Sequence, residues 1–388
     1  MKFLIGGDLV PTEKNVQAFC TGDASAILDK ALLKEWESAD IRIVNLEAPV
    51  TDISMPIMKN GPNLVVPISV RKGLKSLHLD YVGLANNHIL DQGPLGFHST
   101  LKILKENRSH YFGAGPNLSE AEKISVIELS ELRIGLFACT EHEFSIASDN
   151  SPGANPFDPL HTGDYIKEKI QALKLDILIV LYHGGKEYFQ FPSPNLQKAC
   201  RYLVDKGASL VVCQHSHCIG AYEKYKGKDI VYGQGNFIFD LDNPLSFDSL
   251  LLAYEIDKDF PPKITYIPIK KKLDGTGSVY LAMGEEREAI LSSLNERSKA
   301  IISQRFLEET YRDFSKKSLS TYLYEFSGLG SWFNRFDRMI FRGRLLQTMF
   351  SEKKMLQLSN FLTCEAHQEL VGEGLRAEIS NFPENEIG

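Results

Sequence analysis

Ile177-Leu178-Ile179-Val180-Leu181-Tyr182-His183-Gly184-Gly185 is the stretch whose reading decides the fold. Six apolar or aromatic residues in a row, rich in β-branched side chains, read as a strand. The strand delivers a histidine at its end, and two glycines follow that let an ion or ligand approach closely. In open α/β proteins functional groups gather in loops beyond the carboxyl ends of strands. Four more runs do the same. Lys2-Phe3-Leu4-Ile5 leads through Gly6-Gly7 to Asp8, and Ile41-Arg42-Ile43-Val44 leads through Asn45-Leu46 to Glu47. Tyr81-Val82-Gly83-Leu84-Ala85 leads through Asn86 to Asn87 and His88, and Ser209-Leu210-Val211-Val212-Cys213 leads to His215 and His217. The alternate spacing of the last pair lets one loop serve two adjacent metals. One such run would mean little; five within the first 240 residues read as a two-metal hydrolytic site on an α/β sheet.

Between these runs lie helix-like stretches at 24–38, 93–107, 164–173 and 195–207, the alternation expected of an α/β domain. Ser193-Pro194 opens the last of them, and Asn107 and Gly207 close two. The segments 123–129 and 132–139 flank a short polar turn and read as a hairpin, so the sheet need not be purely parallel. Strand-like segments follow at 230–232, 250–256 and 263–269. From residue 285 helical periodicity dominates, through 290–314, 318–326, 332–350 and 352–362, interrupted at Gly328 and Gly330. The expected division is an α/β domain over 1–284 and a helical C-terminal region over 285–388, with a mobile polar end from Ser380.

A net charge of -7 leaves no basic excess to displace counterions from phosphate backbones, so nucleic acid is not an expected partner. No apolar run approaches the roughly 20 residues of a membrane span, and the first residues enter a strand rather than a signal peptide. The sequence as it stands therefore reads as cytoplasmic. Its six cysteines are dispersed without Cys-x-x-Cys spacing and read as reduced thiols. The segment 332–344 combines Trp332, Phe333, Phe336 and Phe341 with Arg335, Arg338, Arg342 and Arg344. It reads either as a helix packed on the main domain with a solvated basic edge or as a face for an anionic membrane.

Taken singly, each candidate ligand also has a bland reading: Asp8 as a turn residue after glycines, Glu47 as an exposed loop carboxylate, Asn86-Asn87 as a helix cap. Together they have the chemistry of a dinuclear centre. Two divalent cations about 3.5–4 Å apart can grip both oxygens of a phosphoester and supply a nucleophile near neutral pH. They need a bridging carboxylate and neutral nitrogen and oxygen donors, and a mixture of imidazole, carboxylate and amide suits Mn, Fe or Zn.

These residues in this order resemble the bacterial capsule synthesis protein CapA family, also called the poly-γ-glutamate capsule family, which is related to calcineurin-like metallophosphoesterases. The matching stretches are Gly7-Asp8, Asn45-Leu46-Glu47-Ala48-Pro49, Leu84-Ala85-Asn86-Asn87-His88 with Asp91 and Gly93, His183-Gly184-Gly185 with Glu187-Tyr188, His215-Ser216-His217, and Gly235-Asn236-Phe237-Ile238-Phe239-Asp240. The resemblance covers about residues 1–242 and implies a layered β-sandwich flanked by helices. It implies that Asp8 and His217 serve one metal, that Asn87, His183 and His215 serve the other, and that Glu47 bridges them. His88 would stand over the leaving group as proton donor, oriented by Asp91. Asn45, Asn86, Glu187, Asn236 and Asp240 would support the ligands or face substrate. Two departures stand out. Val10 occupies the histidine position of an Asp-x-His motif, and Glu47 replaces an aspartate, so the first site is expected to be weak or asymmetric. His142, near the end of the 132–139 strand, is a candidate to fill the gap.

The expected activity is metal-assisted hydrolysis of a phosphoester in capsule or other cell-surface polymer metabolism, with the capsule synthesis machinery as a possible partner. Two alternatives stay open. One is a polymer-binding or assembly component without turnover, which fits the degenerate first motif. The other is metal-dependent cleavage of a γ-glutamyl amide, since a Lewis acid suits carbonyl attack as well.

Overall fold

The computed structural model describes residues 1–129 and 131–379. The polar end expected from Ser380 lies outside them. Sixteen strands occur among these residues, here numbered in chain order: β1 (Lys2–Val10), β2 (Ile41–Leu46), β3 (Tyr81–Gly83), β4 (His110–Phe112), β5 (Ala114–Gly115), β6 (Ser125–Leu129), β7 (Leu132–Thr140), β8 (Gly153–Ala154), β9 (Ile177–His183), β10 (Leu210–Gln214), β11 (Tyr222–Tyr225), β12 (Lys228–Val231), β13 (Asn236–Phe239), β14 (Asp248–Glu255), β15 (Lys263–Lys271) and β16 (Val279–Leu281). They form one sheet in the order β16-β15-β14-β1-β2-β3-β4, with β13 also on β1, a second in the order β11-β12-β10-β9-β7-β6, and a small β5-β8 pair. Both large sheets are mixed: β1-β2-β3-β4 and β7-β9-β10-β12 run parallel, while β14, β15 and the β6-β7 hairpin are antiparallel.

Side-chain alternation along the strands sorts the core into three apolar layers. Ile177, Ile179 and Leu181 of β9 join Phe3, Ile5, Ile43, Leu210 and Val212 in a cluster between the two sheets. Leu178, Val180 and Tyr182 point the other way and pack with Ile166, Leu196 and Leu203 of the helices Thr162–Leu173 and Pro194–Asp205. Leu4, Val44 and Leu46 face Leu32, Trp36, Leu74 and Phe97 of helices on the far side of the first sheet. The result is a helix-sheet-sheet-helix stack. The unbroken apolar reading of 177–182 follows from burial on both faces. Each fully buried Ile, Leu or Phe here contributes roughly 1.5–3 kcal/mol.

The same alternation aims the functional residues. His183 continues the row Ile177, Ile179, Leu181, and Asn45 continues the row from Ile43, so both side chains emerge at the rim of the inter-sheet layer. β1 departs from the simple strand-end pattern. Its first half pairs antiparallel with β14, and its second half pairs parallel with β13, bringing Asp8 opposite Asn236. The ladder to β2 shifts register between Ile5 and Asp8. Asp8 therefore lies inside a strand that changes partner, not beyond its end. The switch needs glycine: a Cβ on Gly7 would sit 2.0 Å from the Gly235 carbonyl oxygen.

The compact units are Met1–Leu307 and Glu308–Gly388, so the division falls within the helix Gln304–Phe326. Helical character does begin at 284, but the helix Gly284–Ala300 belongs to the first unit. Its Ile290 and Leu294 complete the inter-sheet cluster, Arg297 Nε donates to the Gly220 carbonyl at 2.8 Å, and Ser298 Oγ accepts from the Tyr222 amide at 2.8 Å. The regular structure of the second unit's described residues is helical: after the end of Gln304–Phe326 come Ser331–Phe336, a π-helical turn Asp337–Phe341, Arg344–Met349, Glu352–Thr363 and Glu365–Ile379. Its small core is Leu323, Tyr324 and Leu346, backed by Phe333, Phe350, Met355 and Leu358. All six cysteines are free thiols, and Cys139, Cys200, Cys213 and Cys218 are buried.

Candidate metal centre

Asp8, Glu47, Asn87, His183, His215 and His217 converge at the rim between the two sheets, and all six are buried. In each of two triads the potential ligand atoms all lie within 4.8 Å of one another: Glu47 with His183 and His215, and Asp8 with Glu47 and His217. Glu47 belongs to both.

Each side chain is held by the backbone that carries it. Asp8 accepts from Asn45 Nδ2 at 2.8 Å and from the His215 amide at 3.1 Å, tying the first sheet to the second. Asn45 Oδ1 accepts from Asn86 Nδ2 at 3.0 Å, and Asn86 also donates to the Leu46 carbonyl at 2.9 Å, which locks the β2 and β3 loops together. Asn87 Oδ1 and Glu47 Oε1 both face His183 Nε2, at 3.0 and 3.2 Å. His215 and His217 adopt φ of 89° and 52°, a left-handed region costly for residues other than glycine. These two bends place both imidazoles on the same side, with ring centres 6.0 Å apart. Asn236 Oδ1 lies 2.9 Å from His217 Nδ1.

The donor set fits a divalent cation. Both oxygens of Glu47 and Nδ1 of His215 are buried without a well-formed hydrogen bond, Glu47 Oε1 meeting His183 Nε2 as an ion-pair contact at 3.2 Å. Such groups cost of order 1–3 kcal/mol or more when left unsatisfied, most for a charge. Acceptors from Glu47 and Asn87 converge on one nitrogen of His183, which a single proton cannot satisfy and a cation would. In the metal-free protein, protons take that role. Burial works to raise the Glu47 carboxyl, but the charges of His183 and His217 hold it well below the ordinary range. Burial works to lower His217, but Glu47 and Asp8 push it up to about 9, and Glu47 likewise raises His215 against its burial.

His88 stands on the loop beside this cluster, its side chain more open than the ligands, with Nδ1 2.6 Å from Asp91 Oδ2. Asp91 is fully buried and also accepts from Lys59 Nζ at 2.5 Å and the Leu64 amide at 2.6 Å. The side chain of Lys59 is itself buried and reaches within 3.1 Å of His88 Nδ1. Nothing in the sequence announces it, because it sits in an irregular loop rich in Asn, Pro and Gly. Glu143 is the other residue missed: its Oε2 accepts from Asn87 Nδ2 at 3.0 Å and so turns the Asn87 oxygen toward His183. It follows β7 directly, and the strand-end rule that found the other residues would have found it.

The remaining candidates belong to neither triad. Glu187 is exposed in the loop after β9. Asp240 is turned into a pair of lysines, Lys271 and, at 2.9 Å, Lys14. His142 is exposed and belongs to neither triad. Val10 is buried in the outer core of the first sheet.

A two-sheet α/β stack with a shared buried carboxylate between histidine-bearing strand ends thus defines the class. The sequence matches the family described as bacterial capsule synthesis protein PGA_cap over residues 2–241, and the chain belongs to that family. It is 28% identical to the capsule biosynthesis protein CapA of Bacillus anthracis, over 56% of this chain and 54% of that one. It is 32% identical to the PGA biosynthesis protein CapA of Bacillus subtilis, over 51% and 52%. A probable polyglutamine synthesis accessory protein of Mycobacterium tuberculosis is 28% identical over 57% and 60%. The chain spans about half the length of the curated relatives it matches. Among solved structures, a hypothetical protein of Thermus thermophilus overlays with a TM-score of 0.41 at 15% identity, covering 69% of this chain and 99% of that one. A 5'-nucleotidase precursor from the same organism overlays at 0.40 and 14%, covering 78% and 59%. None of the described helices is long and apolar enough to cross a membrane.

Proposed function

We propose that this chain is a divalent-metal-dependent, phosphohydrolase-like component of capsule or related cell-surface polymer biosynthesis of the poly-γ-glutamate type, acting on a phosphoester. The observation that carries it is Glu47, a fully buried carboxylate without a well-formed hydrogen bond on either oxygen, surrounded by imidazoles and shared by two ligand triads. Asp8, Glu47 and His217 would hold one ion, and Glu47, Asn87, His183 and His215 the other, a donor set suited to Mn, Fe or Zn. Ions so held supply Lewis acidity toward the phosphoryl oxygens and a nucleophile at neutral pH.

The protein's own groups do the rest. Asp91 fixes the ring of His88 through Nδ1, which leaves Nε2 to carry the proton to the departing oxygen. Lys59 balances the buried charge of Asp91 on its other oxygen. Asn45 and the His215 amide orient the two oxygens of Asp8. The polymer context comes from a family described as capsule synthesis and from relatives named for PGA and polyglutamine synthesis. The test is hydrolysis of an aryl phosphoester by purified protein in added Mn²⁺. The reading expects turnover that falls steeply in His88→Ala and is lost in His217→Ala with the fold retained; unchanged rates in both variants would overturn it.

One observation favours a second reading, a polymer-binding or assembly component without turnover. Val10, at the position of an expected histidine donor, is committed to the hydrophobic core, and no described side chain replaces it in the Asp8 triad. Stoichiometric metal binding with no hydrolysis of any ester would select this reading.

A further inference from the structure

The second unit carries a surface that the metal centre does not explain. Within 332–344 the side chains of Trp332, Met339, Ile340 and Phe341 are exposed, Trp332 and Met339 by more than three quarters. Arg335, Arg338, Arg342 and Arg344 are exposed among them. The segment's one acid, Asp337, is fully buried beneath: it accepts from Tyr324 Oη at 2.8 Å and from the amides of Leu345 and Leu346 at 3.1 Å each. No ion pair forms between any of the four arginines and a described acid, and Arg338 lies instead over the Tyr324 ring at 5.3 Å. The segment therefore exposes four cations and four large apolar groups, and its one acid is buried. The bias extends beyond the segment. Residues 312–354 hold nine Lys and Arg against four Asp and Glu, a local +5 in a chain of -7. A cavity of about 540 Å³ opens beside it, lined by the apolar Leu319, Phe350 and Met355 and rimmed by Lys316, Arg338 and Arg342.

A solvated helix face would spread charge without large apolar groups, and a face buried on protein would not carry unpaired arginines at its centre, since buried charges need partners. Interleaved aromatics and arginines suit the boundary between headgroups and acyl chains, where the apolar side chains enter the bilayer and the arginines meet phosphates. We propose that the C-terminal unit is an interfacial module that lies on an anionic phospholipid surface through Trp332, Met339, Ile340, Phe341 and the four arginines, with the adjacent cavity seating a lipid phosphate on Lys316, Arg338 and Arg342. This is attachment without crossing, and it stands independently of the metal centre.

The full chain itself reports on the contact. It has two tryptophans, and Trp36 is buried in the first unit at 1% exposure, so a change in tryptophan emission on adding lipid reads Trp332. Vesicles containing phosphatidylglycerol should bind the protein in a flotation assay, shift the Trp332 emission to the blue and release the protein as salt is raised; pure phosphatidylcholine vesicles should do neither. Arg335→Gln with Arg344→Gln should weaken binding by roughly 30-fold, about fivefold per arginine from the ~1 kcal/mol that each contributes near an anionic surface. Inorganic phosphate at equal phosphorus content should not shift the emission. The proposal fails if the protein does not float with anionic vesicles, if it binds neutral vesicles equally, if inorganic phosphate alone reproduces the shift, or if Trp332 emission is already blue without lipid because protein covers it. Circular dichroism of the double variant separates lost binding from lost folding, and the unaltered chain's own shift stands whichever way the variant behaves.

Discussion

The two sides of the candidate metal centre share Glu47 and differ in almost everything else. On one side His183 ends a strand buried on both faces, His215 and the Asn87 oxygen join it, and Glu143 orients Asn87. On the other, Asp8 and His217 stand with Glu47 alone, Asn236 lies against His217, and the neighbouring Val10 packs into the outer core. On the Asp8 side, the position where the resemblance would place a further histidine donor serves hydrophobic packing instead. The difference teaches that one shared carboxylate can join two ligand triads of unequal completeness. The two proposed ions should accordingly fill in order, the His183 side first.

The largest effect should come from Glu47→Gln, which removes the shared charge. Both ions should be lost in elemental analysis, and any phosphoester turnover should fall by at least about three orders of magnitude, the scale of a missing Lewis acid. Retention of one ion by this variant would show that the sides are independent. Next, His88→Ala should lower turnover by about 10²–10⁴-fold, the usual contribution of a positioned general acid, with metal content unchanged. A parallel loss of metal would place His88 among the ligands instead. Smaller still, Asn236→Ala should weaken the His217 side by about 10–100-fold in metal affinity, as loss of a partner behind a ligand does, and leave the His183 side intact. Titration with Mn²⁺ reads this directly, and equal weakening of both sides would erase the distinction.

The smallest expected effect is a pH dependence confined to metal-free protein. The folded state holds the His217 proton up to about pH 9 against an ordinary value of 6.5. A raised pKa stabilises the fold fully below about 6.5 and loses that contribution as pH rises through about 9. The metal-free protein should therefore show a falling Tm across this window. Metal loading should release protons and remove the slope, because the ion replaces the proton. A metal-free Tm that rises over the same range would contradict the assignment of His217 to this charged cluster.

Much of this was legible in sequence because strand ends and helix starts have local signatures. The run 177–182 reads as a strand and projects His183 for the same reason that it is buried on both faces. Asn87 was visible for the same strand-end reason, while Asn45 and Asn86 entered through the family resemblance. Three features were not. Asp8 sits within a strand because β1 exchanges β14 for β13 at Gly6-Gly7, a choice made by pairing between segments more than 200 residues apart. Lys59 reaches Asp91 from an irregular loop whose course no periodicity encodes. The break in helical character at 285 did not locate the unit boundary, since helix Gly284–Ala300 is drawn into the first unit by Ile290 and Leu294. In each case non-local packing settled what local pattern left open.

Calorimetric titration of chelator-treated protein with Mn²⁺, checked by elemental analysis of the product, is the most direct test. Two ions per chain with distinct affinities are expected, the weaker one disappearing in His217→Ala while the tighter one remains. A single ion unaffected by His217→Ala, or no binding at all, would mean that Glu47 joins no two metals and that the centre is not the dinuclear site proposed.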